Sequence, residues 1–197
     1  YEHKFDKKHT IKDCLDLGIG SIVKTAGRIM TKREIGKIVF SDLQDFSGRI
    51  QIVFQEKETP EKDIDLFSKY VDIGDIIGIE GKTIKTKTGQ YSILVKSLKL
   101  LTKSLLPLPS KWYGLQDKEE RYRKRYLDLI MNPEIKRVFE TRRKVFDAIR
   151  DFMKTKNFIE VETPILQPIY GGTNAKPFES KLNALNIKVY MRISNEL

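Results

Sequence analysis

The segment GRIMTKREIGKIVFSDLQDFSGRIQIVF, residues 27–54, decides the fold class. Turns around Gly36 and Gly48 divide this region into apolar stretches of strand length. We place three strands at residues 22–30, 37–43 and 49–54. In the third strand, isoleucine and phenylalanine at every second position face one side while Arg49 and Gln51 face the other, which is typical of a strand with one buried face.

The residues that follow complete the order of elements of a small barrel. Residues 60–70 carry apolar side chains at helical spacing, and residues 75–84 and 91–101 return to strand patterns on either side of the turn KTKTG. Three strands, a short helix and two more strands is the order expected of an OB-fold, a five-stranded barrel that binds oligonucleotides on its face. Another small β-barrel with the same order of elements is the alternative.

A proline-rich stretch interrupts the regular pattern after the last strand. The segment LTKSLLPLPSKWYGLQD, residues 101–117, is dominated by turn residues and prolines. We therefore place a domain boundary between residues 107 and 108, which divides the chain into domains 1–107 and 108–197. Beyond it, RYRKRYLDLI at residues 121–130 has the spacing of a helix with four basic residues on one face.

A second, longer helix follows. Asn132 is a suitable N-cap and Pro133 a suitable first helical residue, and apolar residues recur at helical spacing as far as Met153. This pattern predicts one buried face. We expect Asn157 to end the helix in a left-handed conformation, and the alternation of residues 158–163 predicts a strand.

Composition and charge favour a soluble chain with a polyanionic partner. The chain has 197 residues, a net charge of +10 and a pI near 9.5, so nucleic acid is the first candidate and a merely solvated basic surface is the alternative. The single cysteine, Cys14, cannot form an internal disulfide, and the first ten residues do not resemble a signal peptide. We therefore expect a cytoplasmic protein.

Phe40 on the second strand is the candidate aromatic platform for a base. Stacking of a base on an aromatic ring contributes about 1–3 kcal/mol in barrels of this kind. The polar residues near it that we expect to form a patch are Lys32, Arg33, Lys37, Arg49 and Gln51. The alternative is that Phe40 belongs to the core, and the strand pattern leaves this open because Ile38 and Val39 put apolar groups on both faces.

Several of these segments together resemble one enzyme family. Residues 27–54, the phrase RYRKRYLDLI, the phrase NFIEVETPIL (residues 157–166) and GGTNAKPF (residues 171–178) are similar to class II lysyl-tRNA synthetases. The resemblance implies an α+β protein, in which a five-stranded OB-fold that binds the anticodon is followed by the beginning of an antiparallel-sheet catalytic domain. It also implies that the long helix is the motif 1 element of a homodimer.

The resemblance assigns residues to the anticodon site. Phe40 matches the phenylalanine that stacks on the central uridine, Gln51 the glutamine that hydrogen-bonds the anticodon, and Arg33 an arginine of the same pocket. Gln90 stands where the family usually has an acidic residue. An amide donates as well as accepts hydrogen bonds, so this departure affects base selection at a neighbouring position.

The resemblance also assigns residues to the lysine site. Gly172 would line the lysine pocket, and Glu196 would bind the substrate through a charge-assisted hydrogen bond. Ser194 and Asn195 stand where the family usually has Ala-Pro before that glutamate.

The activity implied is activation of lysine with ATP and Mg²⁺ to lysyl-adenylate, followed by transfer of lysine to tRNA(Lys). The catalytic arginines and metal ligands of motifs 2 and 3 are expected beyond Leu197, and no phosphate-binding glycine loop occurs in the chain. We therefore expect this stretch alone to catalyse no lysine-dependent pyrophosphate exchange. The alternatives are an inactive RNA-binding paralogue, an aspartyl- or asparaginyl-tRNA synthetase, and a general single-strand binder.

Overall fold

The computed structural model describes residues 4–109 and 115–195, and the chain divides into two compact units, residues 1–131 and 132–197. The first unit contains α1 (Ile11–Asp16), β1 (Ile22–Ile35), β2 (Ile38–Gln44), β3 (Arg49–Gln55), α2 (Glu61–Tyr70), β4 (Ile76–Lys85), β5 (Tyr91–Thr102), α3 (Lys118–Arg123) and α4 (Arg125–Met131). The second contains α5 (Pro133–Thr155), β6 (Leu166–Gln167), β7 (Glu179–Leu182) and β8 (Ile187–Met191). Among the described residues, no helix is long and apolar enough to cross a membrane.

The first unit is built on a closed five-stranded barrel with the strand order β1-β2-β3-β5-β4. Neighbouring strands are antiparallel except β3 and β5, which pair in parallel. The OB-fold prediction is confirmed, and the predicted strands agree with the observed ones within a residue or two, except that β1 continues to Ile35. The turn between β1 and β2 is therefore tighter than predicted and lies at the end of two long paired strands.

Helix α2 closes the barrel core. Phe67 on this helix stacks on Phe54 of β3 with ring centroids 4.2 Å apart, and both side chains are almost fully buried. Lys32 of β1 donates hydrogen bonds to the carbonyl oxygens of Phe67 (3.0 Å), Ser68 (2.7 Å) and Val71 (3.2 Å). The Phe67 carbonyl also accepts the backbone N–H of Val71 at 3.3 Å, and all three carbonyls lie at the carboxyl end of the helix, so Lys32 is a capping residue of α2.

The amino-terminal segment is held to the barrel by Asp45. This carboxylate accepts hydrogen bonds from Lys7 Nζ, from the backbone N–H of Ile11 and from the side chain and backbone of Ser47. Burial alone raises the pKa of Asp45, but these hydrogen bonds outweigh it and lower the pKa to about 2. The ionised form is therefore the one that holds the segment in place.

The predicted helix at residues 121–130 is in fact two helices. Lys124 has φ −113° and ψ 51°, which ends α3 before α4 begins. The two are joined by the buried carboxylate of Asp128, which pairs with Arg121 and Arg125. Both helices belong to the first unit, and Leu129 and Ile130 border a cavity of about 280 Å³ against the barrel.

The second unit differs from the prediction in two respects. The expected buried face of α5 is wrong, because no residue of α5 is buried and Val138, Val145 and Phe152 are between 53% and 62% exposed. The expected strand at residues 158–163 is also wrong, since this backbone is irregular and the described sheet has the order β6-β8-β7. An alternating pattern forms a strand only where a neighbour offers a hydrogen-bonding ladder. Asn157 has φ +59°, which confirms the left-handed end predicted for the helix.

Candidate nucleic-acid interface

A cleft of about 510 Å³ opens on the barrel face between the β1–β2 turn and the β4–β5 turn. OB-folds bind oligonucleotides on this face and between these loops. Its described lining residues are Arg33, Ile35, Ile38, Phe40, Gln51, Val53, Gln55, Ile84, Lys85, Thr86, Lys87, Thr88 and Gln90. All four residues that the sequence assigned to an anticodon site, Arg33, Phe40, Gln51 and Gln90, therefore lie in one cleft.

The strand register decides which way Phe40 faces. Val39 is 7% exposed and belongs to the core cluster, whereas Phe40 is half-buried and lines the cleft. Its cross-strand neighbours are Arg33 on β1 and Val53 on β3. The alternative in which Phe40 is a core residue is thus wrong, and the ring lies beside an arginine on a face open to a ligand.

Gln51 lies deeper in the cleft than the other candidates. It is 6% exposed, and its side-chain oxygen accepts a hydrogen bond of 2.8 Å from the hydroxyl of Ser92, its register partner on β5. Within the described residues, its amide nitrogen makes no hydrogen bond. The cleft therefore contains a largely buried glutamine whose amide oxygen has a partner and whose amide nitrogen stays accessible to solvent or to a ligand.

Gln90 lies at the end of a well-ordered turn. The backbone N–H of Gln90 donates to Thr86 Oγ1 at 3.1 Å, and the Thr86 N–H donates to the Gln90 carbonyl at 2.9 Å. Gly89, with φ +85°, supplies the left-handed residue that this turn requires. These bonds fix the backbone of the turn, and Gln90 is an exposed residue of the cleft lining.

The charge of the cleft is positive. Its described lining includes Arg33, Lys85 and Lys87 and contains no Asp or Glu, and none of the three cations has an ion-pair partner among the described residues. Unpaired cations around an aromatic ring are the arrangement that binds single-stranded nucleic acid, with charge for the phosphates and a flat face for a base.

The patch expected from sequence proximity is only partly assembled. Lys32 caps α2, Lys37 pairs with Glu56 at 2.9 Å, and Arg49 pairs with Asp42 at 2.6 Å. Sequence reasoning missed the cations that take their place, which lie in the turn KTKTG. The signal was present, because a Lys-rich turn joins β4 to β5 opposite the β1–β2 turn in an OB-fold.

The described structure includes only one of the two residues predicted for the lysine site. Gly172 is exposed and has φ +86°, a conformation that favours glycine. Glu196 lies outside the described residues. Their joint role stays a prediction.

No metal site is assigned. Within residues 4–109 and 115–195 there is no group of three or more His, Cys, Asp or Glu side chains that could hold a metal ion. Burial raises the pKa of the Cys14 thiol to about 11, so this cysteine is a neutral packing residue.

Comparison with known sequence families agrees with this geometry. Residues 23–101 match the OB-fold nucleic acid binding domain, and residues 117–197 match the tRNA synthetases of class II (D, K and N). Together, the two matches identify the chain as part of a class II aminoacyl-tRNA synthetase.

Individual relatives identify the branch. A lysine–tRNA ligase of Carboxydothermus hydrogenoformans is 48% identical over 200 residues, which cover 100% of this chain and 41% of that protein. Lysine–tRNA ligases of Thermoanaerobacter pseudethanolicus and Dehalococcoides mccartyi are 53% and 52% identical over 90% and 89% of this chain, which is 36% and 35% of their own lengths. The chain belongs to the lysyl-tRNA synthetase family and spans about two fifths of the length of these relatives.

Proposed function

We propose that this chain supplies the anticodon-binding barrel and the opening part of the catalytic domain of a cytoplasmic lysine–tRNA ligase. The whole enzyme activates lysine with ATP and Mg²⁺ to lysyl-adenylate and transfers lysine to tRNA(Lys). The role of this chain is to recognise the anticodon loop, with the domain boundary near residues 107 and 108.

The observation that carries the proposal is the cleft that Phe40 shares with three cations, none of which has an ion-pair partner among the described residues. A base stacked on the Phe40 ring gains about 1–3 kcal/mol, whichever base it is. Arg33, Lys85 and Lys87 attract the flanking phosphates, which adds affinity without base selection. Selection therefore falls to the amide groups that reach the base edge.

Gln51 is the residue best placed to select the central base. Its amide nitrogen is a donor, and uracil presents a carbonyl oxygen at position 4 where cytosine presents an amino group. A donor that a bound base covers with an amino group is left unpaired and shielded from water, which costs roughly 1–3 kcal/mol. The site accordingly favours a central uridine, as in the UUU anticodon.

A binding titration distinguishes recognition of the anticodon base from electrostatic attraction of RNA in general. The chain is titrated with a stem-loop that carries UUU and with one in which the central base is cytosine, at two salt concentrations. Affinity for both loops is expected to fall in parallel as salt rises, with the cytosine loop about ten- to hundredfold weaker at each salt. Equal binding of the two loops would contradict anticodon recognition and would favour an inactive RNA-binding paralogue or a general single-strand binder.

The second unit is proposed to supply the dimer element and the first residues of the lysine pocket. The apolar stripe of α5 is exposed in the chain, and obligate dimer interfaces are large and apolar. Gly172 and Glu196 are the proposed contacts to lysine. Sedimentation of the whole enzyme at micromolar concentration is expected to show a dimer, and a monomer there would contradict this part of the proposal.

A further inference from the structure

The contact between Ser92 and Gln51 determines which end of the Gln51 amide faces the cleft. Ser92 is fully buried and is absent from the cleft lining, so it does not reach a bound base. Its hydroxyl lies 2.8 Å from the Gln51 side-chain oxygen. A serine hydroxyl carries one proton, and donation of that proton to the oxygen turns the amide nitrogen toward the ligand side.

A second acceptor competes for the same proton. The Gln90 carbonyl oxygen lies 3.4 Å from the Ser92 hydroxyl. If the proton went there, the hydroxyl oxygen would accept from the Gln51 amide nitrogen, and the amide oxygen would face the base. The bond of 2.8 Å is near the optimum for a hydroxyl donor and that of 3.4 Å is far from it, so the first arrangement is the stable one.

We propose that Ser92 is a positioning residue for base selection, which holds Gln51 with its donor toward the base and so makes the cleft prefer uracil to cytosine. The inference rests on the proposed function, because it assumes that a base occupies the cleft. Without the hydroxyl, the amide rotates and presents its oxygen to the amino group of cytosine equally well. Ser92 thus contributes to selection and not to the attraction of RNA.

The experiment measures the ratio of affinities for stem-loops with a central uridine and a central cytosine. Ser92→Ala is expected to lower the uridine-to-cytosine ratio by about tenfold, mainly through tighter binding of the cytosine loop. Ser92→Thr keeps a hydroxyl and is expected to restore most of the ratio. Ser41→Ala is the matched control, because Ser41 is a buried serine on β2, which also pairs with β3, and its hydroxyl donates to the Thr31 carbonyl and not to Gln51.

Gln51→Glu provides an independent readout if Ser92→Ala does not fold. The carboxylate keeps one oxygen for the Ser92 hydroxyl and presents a second acceptor to the base, so the preference is expected to invert toward cytosine. An unchanged ratio in Ser92→Ala would overturn the role of Ser92, and a retained uridine preference in Gln51→Glu would overturn the premise that the Gln51 amide selects the base, on which that role depends. If the unmodified chain shows no preference between the two loops, the proposed function itself fails, which separates the two outcomes.

Discussion

The barrel and the second unit both carry apolar residues in regular patterns, yet only the barrel buries them. Ile52, Phe54, Phe67 and Ile79 are each at most 1% exposed, and they form one core together with α2. Helix α5 has an apolar stripe of comparable quality and not one buried residue. Periodicity therefore identifies which face of a helix or strand is apolar enough to be buried. It does not identify the part of the molecule that buries this face, which depends on tertiary packing.

The largest expected difference between the two regions is in stability. Phe54→Ala removes a ring stacked on Phe67 in the core and is expected to lower the free energy of unfolding by about 3–5 kcal/mol. Phe152→Ala, at a side chain 60% exposed on α5, is expected to lower it by less than about 1 kcal/mol. Urea unfolding followed by circular dichroism measures both, and equal losses would mean that α5 is a core helix of this chain.

A smaller effect is expected from Asp45, which ties the amino-terminal segment to the barrel. Its pKa of about 2 lies below the ordinary value, so the ionised form stabilises the fold at neutral pH by about 2 kcal/mol. This contribution is present above pH 4 and is lost as pH falls toward 2. Asp45→Asn should therefore be less stable than the unmodified chain at pH 7, with the difference shrinking between pH 4 and pH 2. A difference that is constant with pH would contradict the assignment.

The basic residues of the barrel are expected to form two groups, one that stabilises the fold and one that binds RNA. Lys32→Met removes the cap of α2 and should cost about 1–2 kcal/mol of stability without weakening RNA binding at temperatures where the chain is folded. Lys85→Ala and Lys87→Ala should leave stability unchanged and each reduce the slope of log affinity against log salt by about 0.7. Loss of the salt dependence in Lys32→Met would show that Lys32 contacts RNA.

The smallest effect is expected at the edge of the cleft. Ile35 and Ile19 are both 64% exposed, but only Ile35 lines the cleft. Ile35→Ala is expected to weaken binding of the UUU loop about two- to fivefold through lost apolar contact, whereas Ile19→Ala leaves it unchanged. The affinity of each variant for the UUU loop is measured by titration. Equal affinities of the two variants would place the bound RNA elsewhere on the barrel.

Much of the barrel could be predicted from sequence because its strands alternate and its turns contain glycine. The direction of Phe40 could not, since Ile38 and Val39 are both apolar and only the pairing with β1 and β3 distinguishes the faces. The role of Lys32 was equally hidden, because a lysine next to Arg33 gives no sign that its neighbour across the barrel is a helix end. The break at Lys124 lies between Arg121 and Arg125, which both pair with the buried Asp128, and helical spacing does not reveal this pairing.

The proposed function depends most directly on the stacking of the central anticodon base on Phe40. The direct measurement is a double-mutant cycle between Phe40→Ala and an abasic central nucleotide in the UUU stem-loop, with Phe46→Ala as control because Phe46 is 72% exposed and outside the cleft lining. Each single change is expected to weaken binding by about 1–3 kcal/mol, and the two together by little more than either alone, while Phe46→Ala shows no coupling. Strictly additive losses for Phe40→Ala would contradict the claim, since the ring and the base would then act independently.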